Sequence, residues 1–105
     1  MRQYTTPTIQ LLVKGVDLTA ADDVWVTFAD RTRAIVLTLD SPTVAASGDD
    51  TSVSVTLTQA QTAQFIANTL SDVQVNWMVS TARYATDIMS INVYENLLKE
   101  ILPNA

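Results

Sequence analysis

Residues 52–61, Ser-Val-Ser-Val-Thr-Leu-Thr-Gln-Ala-Gln, contain the change of pattern that decides the fold. Up to Leu57, apolar residues alternate with Ser and Thr, which gives one apolar and one polar face and is typical of a half-buried β-strand. The period changes at Thr58, because Thr58 and Gln61 form the Thr-x-x-Gln pattern of a helix capping box. The sequence therefore predicts a strand that leads into a short helix over residues 59–67.

The same alternation recurs on both sides of this segment, and Pro, Gly, Asp and Ser separate the alternating runs. The clearest turn is Ser47-Gly-Asp-Asp-Thr51. One helical turn is predicted over 19–23, with Thr19 as its cap. A bulge near Asp87 would change the phase of the last strand. The other predicted strands are 8–14, 24–29, 33–39, a short edge strand that begins at Val44, 72–79 and 83–94.

The C-terminal segment 95–102 carries Leu97, Leu98, Ile101 and Leu102 at helical spacing, which predicts a short amphipathic helix that ends at Pro103. A helix of this length is marginally stable alone. Its apolar side chains must therefore pack either on the rest of the same chain or on another chain, and the sequence leaves both arrangements open.

These patterns predict a mostly β fold. Short strands separated by turn signals about every 8–15 residues favour an immunoglobulin-like antiparallel β-sandwich of about six or seven strands. The two helices described above would complete a single domain over residues 1–105. The expected similarity to immunoglobulins is limited to the arrangement of the strands. The chain has no Cys for the immunoglobulin disulfide and no Tyr at the corner of the sixth strand.

The composition excludes several classes of function. The chain of 105 residues has no His and no Cys, so imidazole and thiolate chemistry is excluded, and we expect neither enzymatic activity nor a cofactor. The six basic residues are scattered and the formal net charge is −5, which argues against nucleic-acid binding. No apolar run approaches the roughly 20 residues that cross a bilayer, and residues 1–8 lack the core of a signal peptide, so no membrane partner is expected.

Acidic residues are the remaining candidates for chemistry. Asp22 and Asp23 are adjacent, as are Asp49 and Asp50. Neighbours on one loop do not provide the opposed carboxylates that acid–base hydrolysis needs. The turn around Asp49 is rich in oxygen ligands for calcium, but its spacing does not match a calcium-binding loop, so we expect no metal site.

Exposed apolar residues are the candidates for partner contact. In the alternating pattern, Trp25, Leu12 and Met78 each fall on the side of their strand opposite to the buried apolar residues. If their strands are adjacent, the three side chains would form one exposed apolar patch. Trp77 has the inward phase and is predicted to lie in the core. An outward Trp25 could equally be covered by the Gly15–Asp23 loop of the same chain. The rival functional interpretation is a sugar platform, with Asn76, Gln74 or Asn92 as hydrogen-bonding neighbours. The candidate contact residues are Leu12, Trp25, Met78, Tyr94, Leu97, Leu98 and Ile101.

Several segments of the sequence together form a familiar pattern: Leu57-Thr-Gln-Ala-Gln-Thr62, Phe65 and Val73-Gln-Val-Asn-Trp77, with the ends Tyr4-Thr-Thr-Pro-Thr-Ile9 and Ile91-Asn-Val-Tyr-Glu-Asn-Leu-Leu98. In these segments the chain resembles small proteins from phage and prophage tail or baseplate gene clusters, in a layout similar to the N-terminal immunoglobulin-like domain of upper baseplate proteins. It touches most of the chain without a diagnostic motif. Where the family usually has a Gly-bearing turn between the last two strands, this chain has Ser80-Thr-Ala82.

The resemblance implies a non-enzymatic structural or adaptor component of a phage tail or baseplate. Such a protein would be made in the bacterial cytoplasm and then become part of the virion. It would contact other phage structural proteins, or copies of itself in a homo-oligomer. The alternative that the residues themselves favour is a carbohydrate-binding or adhesin module centred on Trp25.

Overall fold

A computed structural model describes residues 1–103 of the chain. A 3₁₀ turn covers Leu18–Ala20, and one short helix, α1, covers Gln59–Thr62. The strands are β1 (Thr8–Val13), β2 (Asp23–Ala29), β3 (Ile35–Asp40), β4 (Thr43–Ser47), β5 (Asp50–Thr56), β6 (Thr69–Val79), β7 (Ala82–Ala85) and β8 (Met89–Val93).

The strands form two antiparallel sheets. The first has the order β1-β5-β4, and the second has the order β3-β2-β6 with both β7 and β8 on the far side of β6. The strand predicted over 83–94 is therefore interrupted at 86–88, close to the bulge predicted at Asp87. Thr86 bridges the interruption, because its backbone N–H donates to the Val75 carbonyl at 2.9 Å.

The connectivity is that of an immunoglobulin-type sandwich. Strands β1, β5 and β4 take the places of immunoglobulin strands B, E and D, whereas β3, β2, β6 and the β7–β8 pair take those of C′, C, F and G. A parallel bridge between Arg2 and Tyr94 joins the start of the chain to the last strand. The predicted fold class, a mostly β sandwich with a short helix before the sixth strand, is confirmed.

The inner faces of the two sheets enclose one apolar core, because alternate residues along the strands point inward. Phe28 and Phe65 meet at its centre with ring centroids 5.5 Å apart and planes at 90°. Phe65 follows α1, so the helix segment packs a side chain between the sheets. The buried apolar residues are Leu11, Val13, Leu18, Val24, Val26, Phe28, Val53, Val55, Leu57, Phe65, Val73, Val75, Trp77 and Val93.

Helix α1 is shorter than predicted. The capping box is present, since the Thr58 hydroxyl accepts from the Gln61 N–H and the Gln61 side chain accepts from the Thr58 N–H. After Thr62 the hydrogen bonds are of the 3₁₀ type, from the Gln64 N–H to the Gln61 carbonyl at 3.2 Å and from the Phe65 N–H to the Thr62 carbonyl at 3.3 Å. Asn68, with a φ of 60°, then turns the chain and donates its N–H to the Val93 carbonyl at 2.7 Å. This turn directs the chain into β6 before a second helical turn can form.

The predicted C-terminal helix is wrong, because residues 95–102 form no helix. The segment is instead held at both ends by other parts of the chain. Arg2 donates to the Glu95 carbonyl, and the side-chain amide of Gln59 accepts from the Leu102 N–H at 2.9 Å. These contacts hold both ends of the segment against the rest of the chain, and a helix of eight residues is too weak to displace them.

Two turns differ in detail from the prediction. The cap of the 3₁₀ turn is Asp17, not Thr19, since the Asp17 carboxylate accepts from the Thr19 N–H at 3.0 Å. Between β6 and β7, Val79 pairs with Ala82, so Ser80 and Thr81 form a tight loop although neither is Gly. Ser80 adopts a φ of 56° there, a region in which Gly has no steric cost.

We expect Thr58→Ala to lower the free energy of unfolding by about 1 kcal/mol, because the first turn of α1 loses its cap. Equilibrium urea denaturation measures this loss. Thr81→Ala is the matched control, since Thr81 lies exposed in a loop and its replacement should change stability by less than about 0.5 kcal/mol. Equal effects of the two substitutions would contradict a structural role for the capping box.

Candidate functional site

The acidic residues stabilise loops. Asp22 accepts from the Ser80 N–H at 2.7 Å and thereby holds the β6–β7 turn, and Asp50 accepts from the Gly15 N–H at 2.9 Å. The hydrogen bond from the Thr19 hydroxyl is the main reason that the pKa of the Asp17 carboxyl lies below its ordinary value. The hydrogen bond from the Thr19 backbone N–H lowers this pKa further. Within residues 1–103, no group of three or more His, Cys, Asp or Glu side chains is placed to hold a metal ion.

The outer face of the five-stranded sheet brings together Trp25 and Met78. They line a shallow groove of about 350 Å³, which we call the sheet-face groove. Its other lining residues are Thr27, Ile35, Thr38, Asn76 and Arg83.

The strand register defines how polar groups flank this groove. Trp25 pairs with Asp40 on β3 and with Asn76 on β6, so the three lie in one row across the sheet. In the next row, Met78 pairs with Arg83 on β7. The Arg83 guanidinium donates to Asn76 Oδ1 at 3.3 Å, which brings its charge toward the row of Trp25.

Leu12 lies in the other sheet, so it does not complete a patch with Trp25 and Met78. It is exposed on β1 and lines a separate cleft of about 380 Å³ between β1 and the β7–β8 edge. Trp77 also lines this cleft, where its ring stacks on Tyr84 with centroids 5.8 Å apart. The predicted core position of Trp77 is confirmed, since it is buried.

The remaining candidate residues lie in the segment after β8. We call this the end segment, residues 94–102. Its apolar side chains are exposed although its backbone is anchored: Leu97 is 94% exposed, Leu98 51% and Ile101 54%. Tyr94 is also exposed, and the Arg2 guanidinium lies 5.6 Å from the centre of its ring.

An ion pair also orders the end segment. Lys99 Nζ lies 2.7 Å from Glu95 Oε1, and both side chains are substantially exposed. The hydrogen bond from Lys99 is the main reason that the pKa of Glu95 lies below its ordinary value, and the same contact raises the pKa of Lys99. The end segment therefore exposes apolar side chains on a backbone that several contacts hold in place.

Ile35 is an exposed groove residue that sequence reasoning did not single out. It is 68% exposed, although Ile35, Leu37 and Leu39 form one alternating series in the sequence. A register shift opposite Phe28 and Ala29 turns Ile35 away from the core. Alternation alone could not reveal this, because the shift depends on how β2 and β3 pair.

The comparisons with known proteins give no relative: no family model, curated protein or solved structure matches this chain. In the part of the chain that the structure describes, no helix has the length and apolar character needed to span a membrane. The fold and the two exposed surfaces are therefore the basis for a functional proposal.

Proposed function

We propose that this protein is a non-enzymatic structural or adaptor component of a phage or prophage tail or baseplate, and that it acts through protein–protein contacts. The observation that carries the proposal is the end segment, where Leu97, Leu98 and Ile101 are all more than half exposed. Scattered single exposed apolar residues are normal on protein surfaces, but several in one short segment indicate a surface that a partner covers.

The anchoring of the end segment favours association. A free C-terminal tail would lose conformational entropy on binding, which weakens affinity. Here the Gln59 side chain, the Arg2 guanidinium and the Glu95–Lys99 pair already restrict the backbone. A partner would therefore bury these apolar side chains without the further cost of ordering the backbone that carries them.

The phage setting is supported by the resemblance of the sequence segments together with the architecture. Leu57-Thr58 directly after β5, the capped helix and the inward Phe65 are among the parts on which the resemblance rests, and they lie in the connection from the first sheet to the second. In this proposal the chain is made in the bacterial cytoplasm and is then incorporated into the virion beside other tail proteins or further copies of itself.

The test is incorporation of variants into particles. We expect Leu98→Ser to reduce the amount of the chain found in purified particles by about tenfold, because a half-exposed leucine would no longer be buried by the partner. Val79→Ser is the control, since Val79 is 46% exposed against 51% for Leu98 but lies at the end of β6. Quantitative mass spectrometry of particles from a complemented deletion strain measures the ratio.

The variant Leu97→Ser/Leu98→Ser/Ile101→Ser should abolish incorporation while the urea midpoint of the purified protein stays close to that of the wild type. Incorporation of this triple variant at the wild-type level would contradict the role of the end segment. Absence of the wild-type chain from particles would contradict the phage proposal itself.

A carbohydrate-binding module is the second candidate, and the sheet-face groove is the observation that favours it. Trp25, Asn76, Thr38 and Arg83 line the groove together, which combines an aromatic ring with hydrogen-bonding groups. Asn92, by contrast, lines a different depression beside Tyr94. Glycan-array binding that Trp25→Ala removes would favour this alternative over a purely structural role.

A further inference from the structure

We propose that the outer face of the five-stranded sheet associates with the same face of a second copy of this chain, about a twofold axis that runs parallel to the strands. This inference rests on the proposed function, because it names a second copy as one of the partners. The face concerned consists of the outward residues of β3, β2, β6 and β7 around the sheet-face groove.

The charges on this face are divided between its two halves. Asp40 on β3 and Asp23 on β2 make one half negative, and both are exposed. Arg83 on β7 makes the other half positive. Asp72 on β6 is already neutralised, since its carboxylate lies 2.7 Å from the Arg33 guanidinium. The face therefore has one acidic and one basic side, with uncharged residues between them.

This division selects the orientation of the axis. A twofold axis parallel to the strands, between β2 and β6, places the β3 edge of one copy opposite the β7 edge of the other. Such an axis keeps each residue at its own height along the strands, so Asp40 lies opposite the partner's Ala85, one row from the partner's Arg83. The Arg83 guanidinium reaches toward that row, because it donates to Asn76 Oδ1, so Arg83 pairs with the partner's Asp40 and two attractive pairs form by symmetry. An axis perpendicular to the strands would instead place β3 opposite β3 and bring like charges together.

The apolar residues match in the same arrangement. Because β2 lies opposite the partner's β6, Trp25 lies opposite the partner's Asn76 and beside the partner's Met78 in the next row. Toward the other end of the face, Ile35 is 68% exposed and Ile88 is 46% exposed, and they lie on opposite edges of one shallow groove. The axis places Ile35 opposite the partner's Ser90, two residues from the partner's Ile88, so the two isoleucines lie diagonally across the contact at the sheet separation of about 10 Å.

The size of the face sets the expected affinity. Four strands about 4.8 Å apart, over five or six residues of about 3.3 Å each, give a projected face of about 20 by 20 Å. This is roughly half of the 800 Å² per partner of a standard interface. The dimer should therefore be reversible, with a dissociation constant in the range of about 10–100 μM.

Charge reversal tests the arrangement on the purified chain. Sedimentation velocity from about 1 μM to about 1 mM should show a monomer–dimer equilibrium for the wild type. Asp40→Arg and Arg83→Asp should each weaken dimerisation by about tenfold, because each creates two repulsive pairs. The double variant Asp40→Arg/Arg83→Asp should restore it, and an equimolar mixture of the two single variants should form a heterodimer more readily than either forms a homodimer.

Two results would overturn the inference: a wild-type chain that stays monomeric throughout this range, or single reversals that dimerise as strongly as the wild type. Trp25→Ala should also weaken dimerisation by about tenfold. Leu98→Ser should dimerise like the wild type. A monomeric chain whose incorporation into particles still depends on Leu98 would overturn only the sheet-face dimer and leave the proposed function standing.

Discussion

Phe28→Ala is expected to lower the free energy of unfolding by about 3–5 kcal/mol. Phe28 is fully buried on β2, and its ring meets Phe65 edge-on between the two sheets. Removing the ring leaves a cavity at the point where the helix segment packs into the sandwich, and it also removes the aromatic contact, which is worth about 0.5–1.5 kcal/mol. A domain of this size has a total stability of only about 5–10 kcal/mol, so the variant should unfold well below the wild-type midpoint.

Equilibrium urea denaturation followed by tryptophan fluorescence measures this change. Phe28→Leu, which keeps most of the apolar volume, is the control and should cost clearly less than the alanine variant. A double-mutant cycle with Phe65→Leu isolates the contact between the rings. A loss below about 1 kcal/mol for Phe28→Ala would show that the two rings do not meet in the core as described.

Thr51→Val is expected to cost about 1–3 kcal/mol although it preserves the shape of the side chain. Thr51 is fully buried on β5, where its hydroxyl donates to the Val16 carbonyl and accepts from the Leu18 N–H at 3.1 Å. Valine would leave both backbone groups without this partner. The segment between β1 and β2, which carries the buried Leu18, would then be attached to β5 through the Gly15–Asp50 hydrogen bond without the two bonds of Thr51.

Thr8→Val is the matched control for this substitution. The Thr8 hydroxyl also forms a hydrogen bond, to the Thr56 hydroxyl at 2.9 Å, but both are exposed and water can replace it. Its loss should change stability by less than about 0.5 kcal/mol in the same denaturation experiment. Equal costs at Thr51 and Thr8 would contradict the attachment of the β1–β2 segment through Thr51.

The alternation of apolar and polar residues was sufficient to predict the strands that bury one face. β5 and β6 follow it residue by residue, because each has one neighbouring sheet to cover and solvent on the other side. The short helix was also predictable, since the capping box is a local pattern that Thr58 and Gln61 complete within four residues. Its early end was not, because that depends on the hydrogen bond of Asn68 to a distant strand.

Long-range contacts explain the other differences between prediction and structure. The helical spacing of apolar residues in 95–102 is a local pattern, and it predicted a helix there. The contacts that hold this segment come from Gln59 and Arg2, which are far away in the sequence and which a local pattern does not reveal. For the candidate contact residues, the sequence indicated which side chains point outward but not which strands are neighbours. It could therefore identify Trp25, Met78 and Leu12 individually without separating Leu12 from the other two.

The interruption at 86–88 divides the last edge of the second sheet into two parts that can open separately. β7 pairs only with Asn76–Val79 and all four of its residues are exposed, whereas β8 contributes the buried Val93. Local opening requires little free energy where few apolar contacts are lost. β7 can therefore detach from β6 on its own, with loss of its pairing and of the Trp77–Tyr84 stack, while β6 and the rest of the sandwich stay folded. The position of Arg83 is then governed by the dynamics of β7.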